Sequence, residues 1–273
     1  MDLLSTFATL GYLLGAAAGI GYLAKPQDRW HRIGTGLLTA GLVLHTAVLA
    51  RAFFFAGHLP IQNLRDTLSM AAWCMTVVYL VSLHRYDLKI LGSFTIPVIA
   101  LLMVLAGSLP DAPLADQKVL KSFWLVVHVV SIFLGEAALA LSCGAGALYL
   151  MQERAIKNKR RGFFFRRLPS LERLDAVGYA TIAAGFTLLT VGLATGAVYA
   201  QAVWGRFWSW DPKEVWSGIT WLIYAALLHQ RLTVGWRGRR AAIMAIIGFG
   251  AVVFTFLGVN LMLKGHHGVF TRF

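Results

Sequence analysis

Histidine and tryptophan carry most of the chemistry available to this 273-residue chain, which contains eight of the first and nine of the second. Trp204, Trp208, Trp210, Trp216 and Trp221 crowd into one stretch, and from Trp204 to Trp216 it reads WGRFWSWDPKEVW. Flat indole faces alternate there with the cations Arg206 and Lys213. Rings of this kind stack on a large planar ligand, and the cations suit carboxylates on its edge. One or two indoles at a membrane surface are ordinary, but five so close together exceed that. Asp211-Pro212 also reads as a helix start, with aspartate as cap and proline in the first turn, so capping accounts for part of the pattern.

Three histidines have positions that matter. On the topology derived below, His128 lies near the outer end of the fifth span, His267 just beyond the outer end of the eighth, and His229 near the inner end of the seventh. Imidazole is a strong axial ligand of haem iron, and His128 and His267 facing each other across the tryptophan-rich segment would make a six-coordinate site. A single histidine in an apolar helix more often bonds to a neighbouring helix. His266 adjoins His267 and has equal claim by spacing. His45, in the middle of the second span, is a weaker candidate for a deeper ligand; His31, His58 and His84 sit at interfaces. Glu136 falls eight residues after His128 on the same helical face, about 12 Å deeper, where a carboxylate is either functional or protonated and hydrogen-bonded. Cys74 and Cys143 lie apart in apolar runs without a CxxC pair, which argues against thiol redox work.

The elements that must position these residues are membrane helices. Of the residues 58% are hydrophobic and 14% charged, a balance unlike that of a water-soluble core. Apolar runs near 3–24, 33–56, 67–83, 88–109, 120–151, 177–200, 216–230 and 241–263 approach or exceed the ~20 residues of a spanning helix. The fold class is therefore all-α, a polytopic integral membrane protein of about eight transmembrane helices forming a single domain over 1–273. The net charge of +13 belongs to the connections, and one alternate set carries 17 Lys and Arg against 7 in the other. That excess marks the first set as cytoplasmic and both termini as extracytoplasmic, and it reads as membrane-lipid contact, with no nucleic acid partner. The longest connection, 152–176, is basic with Phe163, Phe164 and Phe165 at its middle, an amphipathic segment for the anionic inner leaflet. The first run has no basic segment ahead of it and is read as a retained span.

The segment from Trp204 to Trp216 closely resembles the WWD motif of haem-handling proteins in cytochrome c maturation. GFTLLT from Gly185, WLIYAALLHQR from Trp221, GWRG from Gly235 and GVNL from Gly258 extend the likeness. Together they resemble the CcsA (ResC) branch, the membrane component of the system II pathway, strongly over about 120–270 and weakly through GHLPIQNLRDTLS at 57–69. The resemblance implies that His128 and His267 ligate haem b at the outer face and that His229 ligates or relays it nearer the cytoplasm. Trp204, Trp208, Trp210 and Trp216 would form the platform with Asp211, and Arg206 or Lys213 would stand near a propionate. It implies a bacterial inner-membrane protein acting with a CcsB (ResB) partner on the CxxCH of apocytochrome c, as the membrane subunit of a holocytochrome c synthase with no nucleophile of its own. Two departures stand out: HHG at 266–268 where Leu-His-Ser is common, and Arg65-Asp66 where a glutamate is common. The partner of His229, whether His45 or another chain, stays open. Competing readings are a HemX-like protein influencing haem biosynthesis, a transporter of another solute using Glu136, and a haem- or quinone-binding respiratory subunit.

Overall fold

A computed structural model describes residues 3–110, 120–159, 162 and 167–259. Phe163, Phe164 and Phe165 of the basic connection, and His266 and His267, lie outside the described residues. Eight α-helices follow one another in chain order, with no strand among the described residues: α1 (Leu3–Ala24), α2 (Asp28–Ala56), α3 (Leu64–Tyr86), α4 (Lys89–Ser108), α5 (Phe123–Lys157), α6 (Leu171–Trp204), α7 (Pro212–His229) and α8 (Arg239–Val253). Two of them run on as π-turns, α7 through Gln230–Val234 and α8 through Phe254–Gly258.

Seven helices, all but α7, are long and apolar enough to cross a membrane, α8 with its π-turn included. The eight elements expected from the apolar runs are all present, but α5 and α6 outrun theirs, reaching Lys157 and starting at Leu171. Polar residues prolong α5: Lys157 bonds Glu153 one turn back at 2.8 Å, an i,i+4 pair that supports a solvated helix end.

Lipid gives helices no hydrophobic reason to associate, so close packing of small residues must supply the contact. On α1 and α2 the glycines do this: a Cβ on Gly11 would stand 3.2 Å from the Gly41 backbone, and one on Gly15 would stand 3.3 Å from the Gly34 carbonyl. The long pair α5 and α6 follows the same rule, since a Cβ on Gly135 would come 3.1 Å from the Gly185 carbonyl oxygen. One apolar core centres on α1, α3 and α4 through Tyr12, Tyr79 and Ile99, and another on α5–α8 through Leu139, Leu189 and Tyr224. Met70, Cys74 and Val129 join the halves where α3 meets α5.

Buried polar groups fix the register. The ring of His45 is bonded on both sides, to the Tyr12 hydroxyl at 3.2 Å through Nδ1 and to Ser69 Oγ at 2.9 Å through Nε2. Three helices are thereby tied at one point. At the end of the bundle opposite the tryptophan-rich segment, Arg231 donates to both carboxylate oxygens of Asp175 at 3.0 and 2.7 Å. Asp175 also accepts the Gly238 N–H at 2.7 Å, and the guanidinium lies 4.5 Å from the Tyr179 ring centroid. This cluster clamps α6 to the turn leading into α8.

Candidate functional site

A cavity of about 230 Å³ opens between α5, α6 and the start of α7. His128, Ile132, Phe133 and Glu136 face it from α5, and Leu193, Ala197 and Trp204 from α6. Phe207 and Trp208 of the following loop, Lys213 and Ser217 of α7, and Thr255 and Phe256 of the second π-turn complete much of the wall. His128 and Glu136 share the cavity, as their eight-residue spacing implies.

Two glycines of α6 make room for the side chains of α5. A Cβ on Gly192 would strike Ile132 Cδ1 at 2.6 Å, and one on Gly196 would stand 2.5 Å from His128 Nδ1. The ring therefore lies directly on α6, and its Nδ1–H donates to the Gly192 carbonyl oxygen at 2.7 Å. A carbonyl can only accept, so this bond puts a proton on Nδ1. Orienting bonds of this kind, from the other ring nitrogen, are usual for imidazoles that bind metals.

The loop between α6 and α7 is shaped by three residues. Gly205 ends α6 at φ 72° and Trp210 takes φ 58°, a left-handed conformation that non-glycine residues seldom adopt. Glu214 then ties the loop down. Its carboxylate accepts the Ser209 N–H at 2.8 Å, the Ser209 hydroxyl at 2.9 Å and the Asp211 N–H at 3.3 Å. Asp211, buried, accepts the Lys213 N–H at 2.9 Å, so Asp211 and Glu214 form a capping box around Pro212.

The tryptophans separate into different environments. Trp204 and Trp208 line the cavity. Trp210 is 78% exposed and meets Trp208 edge-on at 6.0 Å. Trp216 packs on Phe254 at 4.4 Å, while Trp221 lies against Phe186 and donates its Nε1–H to Thr190 Oγ1 at 2.9 Å. Arg206 is exposed on the loop, whereas Lys213 faces the cavity. Glu136 shares the cavity with Lys213.

His229 ends α7 and is exposed. Sixteen residues separate it from Lys213, about 24 Å of helix, so His128 and His229 do not share a site. Among the described residues, no group of three or more His, Cys, Asp and Glu is placed to hold an ion. Sequence reasoning passed over Gly192, Gly196 and Glu214. The four-residue glycine spacing and the Asp-x-x-Glu of a capping box were the available signals.

With this geometry in view, the comparisons with known proteins are specific. The family model described as cytochrome C assembly protein matches residues 61–267. The chain is 36% identical to the cytochrome c biogenesis protein CcsA of Synechococcus sp. (strain CC9902), over 93% of this chain and 92% of that one. It is 39% identical to the protein of the same name from Chlamydomonas reinhardtii, over 78% of this chain but 61% of that protein's length. A solved structure, cytochrome c heme lyase CcmF, superposes with a TM-score of 0.65 at 17% identity, covering 98% of this chain and 47% of that one, a likeness of fold.

Proposed function

Because the chain belongs to the cytochrome c assembly family, and its place is thus in cytochrome c biogenesis, we propose that it receives haem b and presents it for attachment to apocytochrome c. It does so at the extracytoplasmic face of a bacterial inner membrane, with a CcsB/ResB-type membrane partner. The observation that carries this reading is His128, whose ring is oriented by the Nδ1 bond to Gly192, on a cavity lined by Trp204 and Trp208.

The described residues fit such a substrate. Apolar and aromatic walls suit a porphyrin face, the imidazole suits its iron, and Lys213 suits a propionate. His128 holds the iron from one side, and His267, beyond α8, is assigned the other side. Trp204 and Trp208 cover the ring while Lys213 fixes which edge lies inward, leaving the opposite edge towards the apocytochrome. Each cysteine thiol of CxxCH then adds across a vinyl group, sulfur to one carbon and hydrogen to the other, without a leaving group. Positioning supplies much of the rate, so the chain needs no nucleophile. His229, at the far end of α7, serves as the ligand nearer the cytoplasm, with its counterpart on the partner chain because both nitrogens of His45 are engaged.

The test is the absorption spectrum of the purified full chain, with and without a co-expressed partner. Wild type shows bis-histidine haem, and His128→Ala and His267→Ala each lose or alter it. Unchanged haem content in both variants removes the two ligands, and a colourless wild type under both conditions favours a transporter of another solute.

A further inference from the structure

The cavity, at about 230 Å³, is smaller than the ~300–1,000 Å³ usual for pockets that enclose a small-molecule ligand, and a porphyrin is among the larger of those ligands. Some part of the wall must give way before one enters. Of the described residues that line the cavity, only Phe207 and Trp208 are exposed, at 60% and 42%, while the others are buried or half-buried. These two rings therefore stand between the cavity and its surroundings and form its mouth.

Trp208 is the ring placed to move. Its edge leans on α7, where a Cβ on Gly218 would lie 3.6 Å from its Cη2, and it meets the Trp210 ring edge-on. No described residue hydrogen-bonds its indole nitrogen, whereas the Nε1–H of Trp221 donates to Thr190 Oγ1 at 2.9 Å and that of Trp73 to Thr46 Oγ1 at 2.8 Å. The backbone on either side is fixed: the Gly205 N–H donates to the Gln201 carbonyl oxygen at 3.0 Å, and Glu214 accepts both donors of Ser209. With the chain pinned at both ends, the side chain is what turns, and exposed rings change rotamer quickly.

We infer that Trp208 is the gate of the cavity and Gly218 its seat. The indole rests on α7 while the cavity is empty, turns aside to admit the porphyrin, and then covers the ligand's face. The inference rests on the haem reading above and adds to it the way in. Gly218 is not among the residues that line the cavity, so a change there acts on the gate without touching the ligand. A gate that is mostly closed slows association by the open fraction and leaves dissociation alone.

The experiment follows haem binding to the full chain, purified in detergent without haem, by stopped-flow quenching of tryptophan fluorescence. Gly218→Val puts two methyl groups beside the place where the indole edge rests. The open form gains population and association quickens about tenfold, the order by which overpacking shifts a two-state balance, with dissociation unchanged. Gly218→Ala, whose methyl would meet the ring at an ordinary contact distance, changes association by less than about twofold. Trp208→Ala removes the gate and raises both rates, dissociation the more because a stacking face is lost. In chains labelled with fluorotryptophan, the Trp208 fluorine resonance, identified by its loss in Trp208→Phe, moves in Gly218→Val with no haem present. Should Gly218→Val fail to fold, the association rate of Trp208→Ala carries the test. Association no faster than wild type in either variant overturns the gate and leaves the haem site standing, as does a Trp208 resonance unmoved in Gly218→Val. A wild-type chain that binds no haem overturns the haem reading and the proposal with it.

Discussion

The His128 ring on α5 is oriented by the backbone of α6, through the 2.7 Å bond from its Nδ1–H to the Gly192 carbonyl oxygen. The proposed ligand is held by a main-chain atom one helix away, so its aim depends on how closely α5 and α6 approach. The glycines that allow that approach are as much part of the site as the imidazole.

Gly196→Ala tests this directly. The new methyl group would stand 2.5 Å from His128 Nδ1, and the ring must turn or the helices part. Overpacking of this kind costs about 1–3 kcal/mol. The haem absorption of the purified variant falls or shifts while its far-ultraviolet helix signal persists. Gly36→Ala, with open space around its Cβ, is the control and leaves both signals intact. An unaltered haem spectrum in Gly196→Ala contradicts the assignment.

Glu214 is expected to matter through the loop it organises. Its carboxylate accepts bonds from Ser209 and Asp211, and Glu214→Ala removes them at a cost of about 2 kcal/mol, two or three partly exposed bonds at the lower end of their range. Reduced haem retention with enhanced proteolysis between Gly205 and Asp211 is the outcome to seek. Retention equal to wild type shows that the loop keeps its shape without the carboxylate.

Trp208 and Trp210 are both exposed, at 42% and 78%, but of the two Trp208 lines the cavity. Trp208→Ala removes a wall of the cavity and lowers haem affinity several-fold, about 1 kcal/mol for a lost stacking face. Trp210→Ala, at a ring 78% exposed, leaves free haem binding near wild type. Titration of both variants with haem, followed by quenching of tryptophan fluorescence, distinguishes them. Equal losses place both indoles on the ligand.

At the other end of the bundle, Asp175→Asn leaves the Arg231 guanidinium without its bidentate partner where both side chains are mostly buried. A loss of about 2–3 kcal/mol is expected, less than for a fully buried pair because both side chains keep some solvent. The melting temperature in detergent drops and the haem spectrum of the folded fraction stays the same. A spectrum that changes before unfolding indicates coupling along α6 instead.

The helices were legible because apolar runs of sufficient length have few alternatives in lipid, and the His128–Glu136 face followed from eight-residue spacing alone. Asp211-Pro212 marked the start of α7 to the residue. The outward turn of Trp210 was not legible, because a left-handed backbone at a tryptophan has no sequence signature. Nor was the division between Arg206 and Lys213: both are cations of one loop, and only the position of α7 decides which enters the cavity. His45 read as a possible deep ligand, but its satisfaction by Tyr12 and Ser69 depends on two other helices that sequence spacing does not register.

The π-turn Phe254–Gly258 holds one residue more than an ordinary helical turn, and Thr255 and Phe256 within it face the cavity, Thr255 meeting Thr220 at 3.1 Å. A surplus residue rotates everything after it by about 100° about the helix axis. The phase of the chain leaving α8 is therefore set by the length of this stretch rather than by its composition. Deleting a single position there would turn the buried Val259 to another side of the bundle while leaving every other residue type in place.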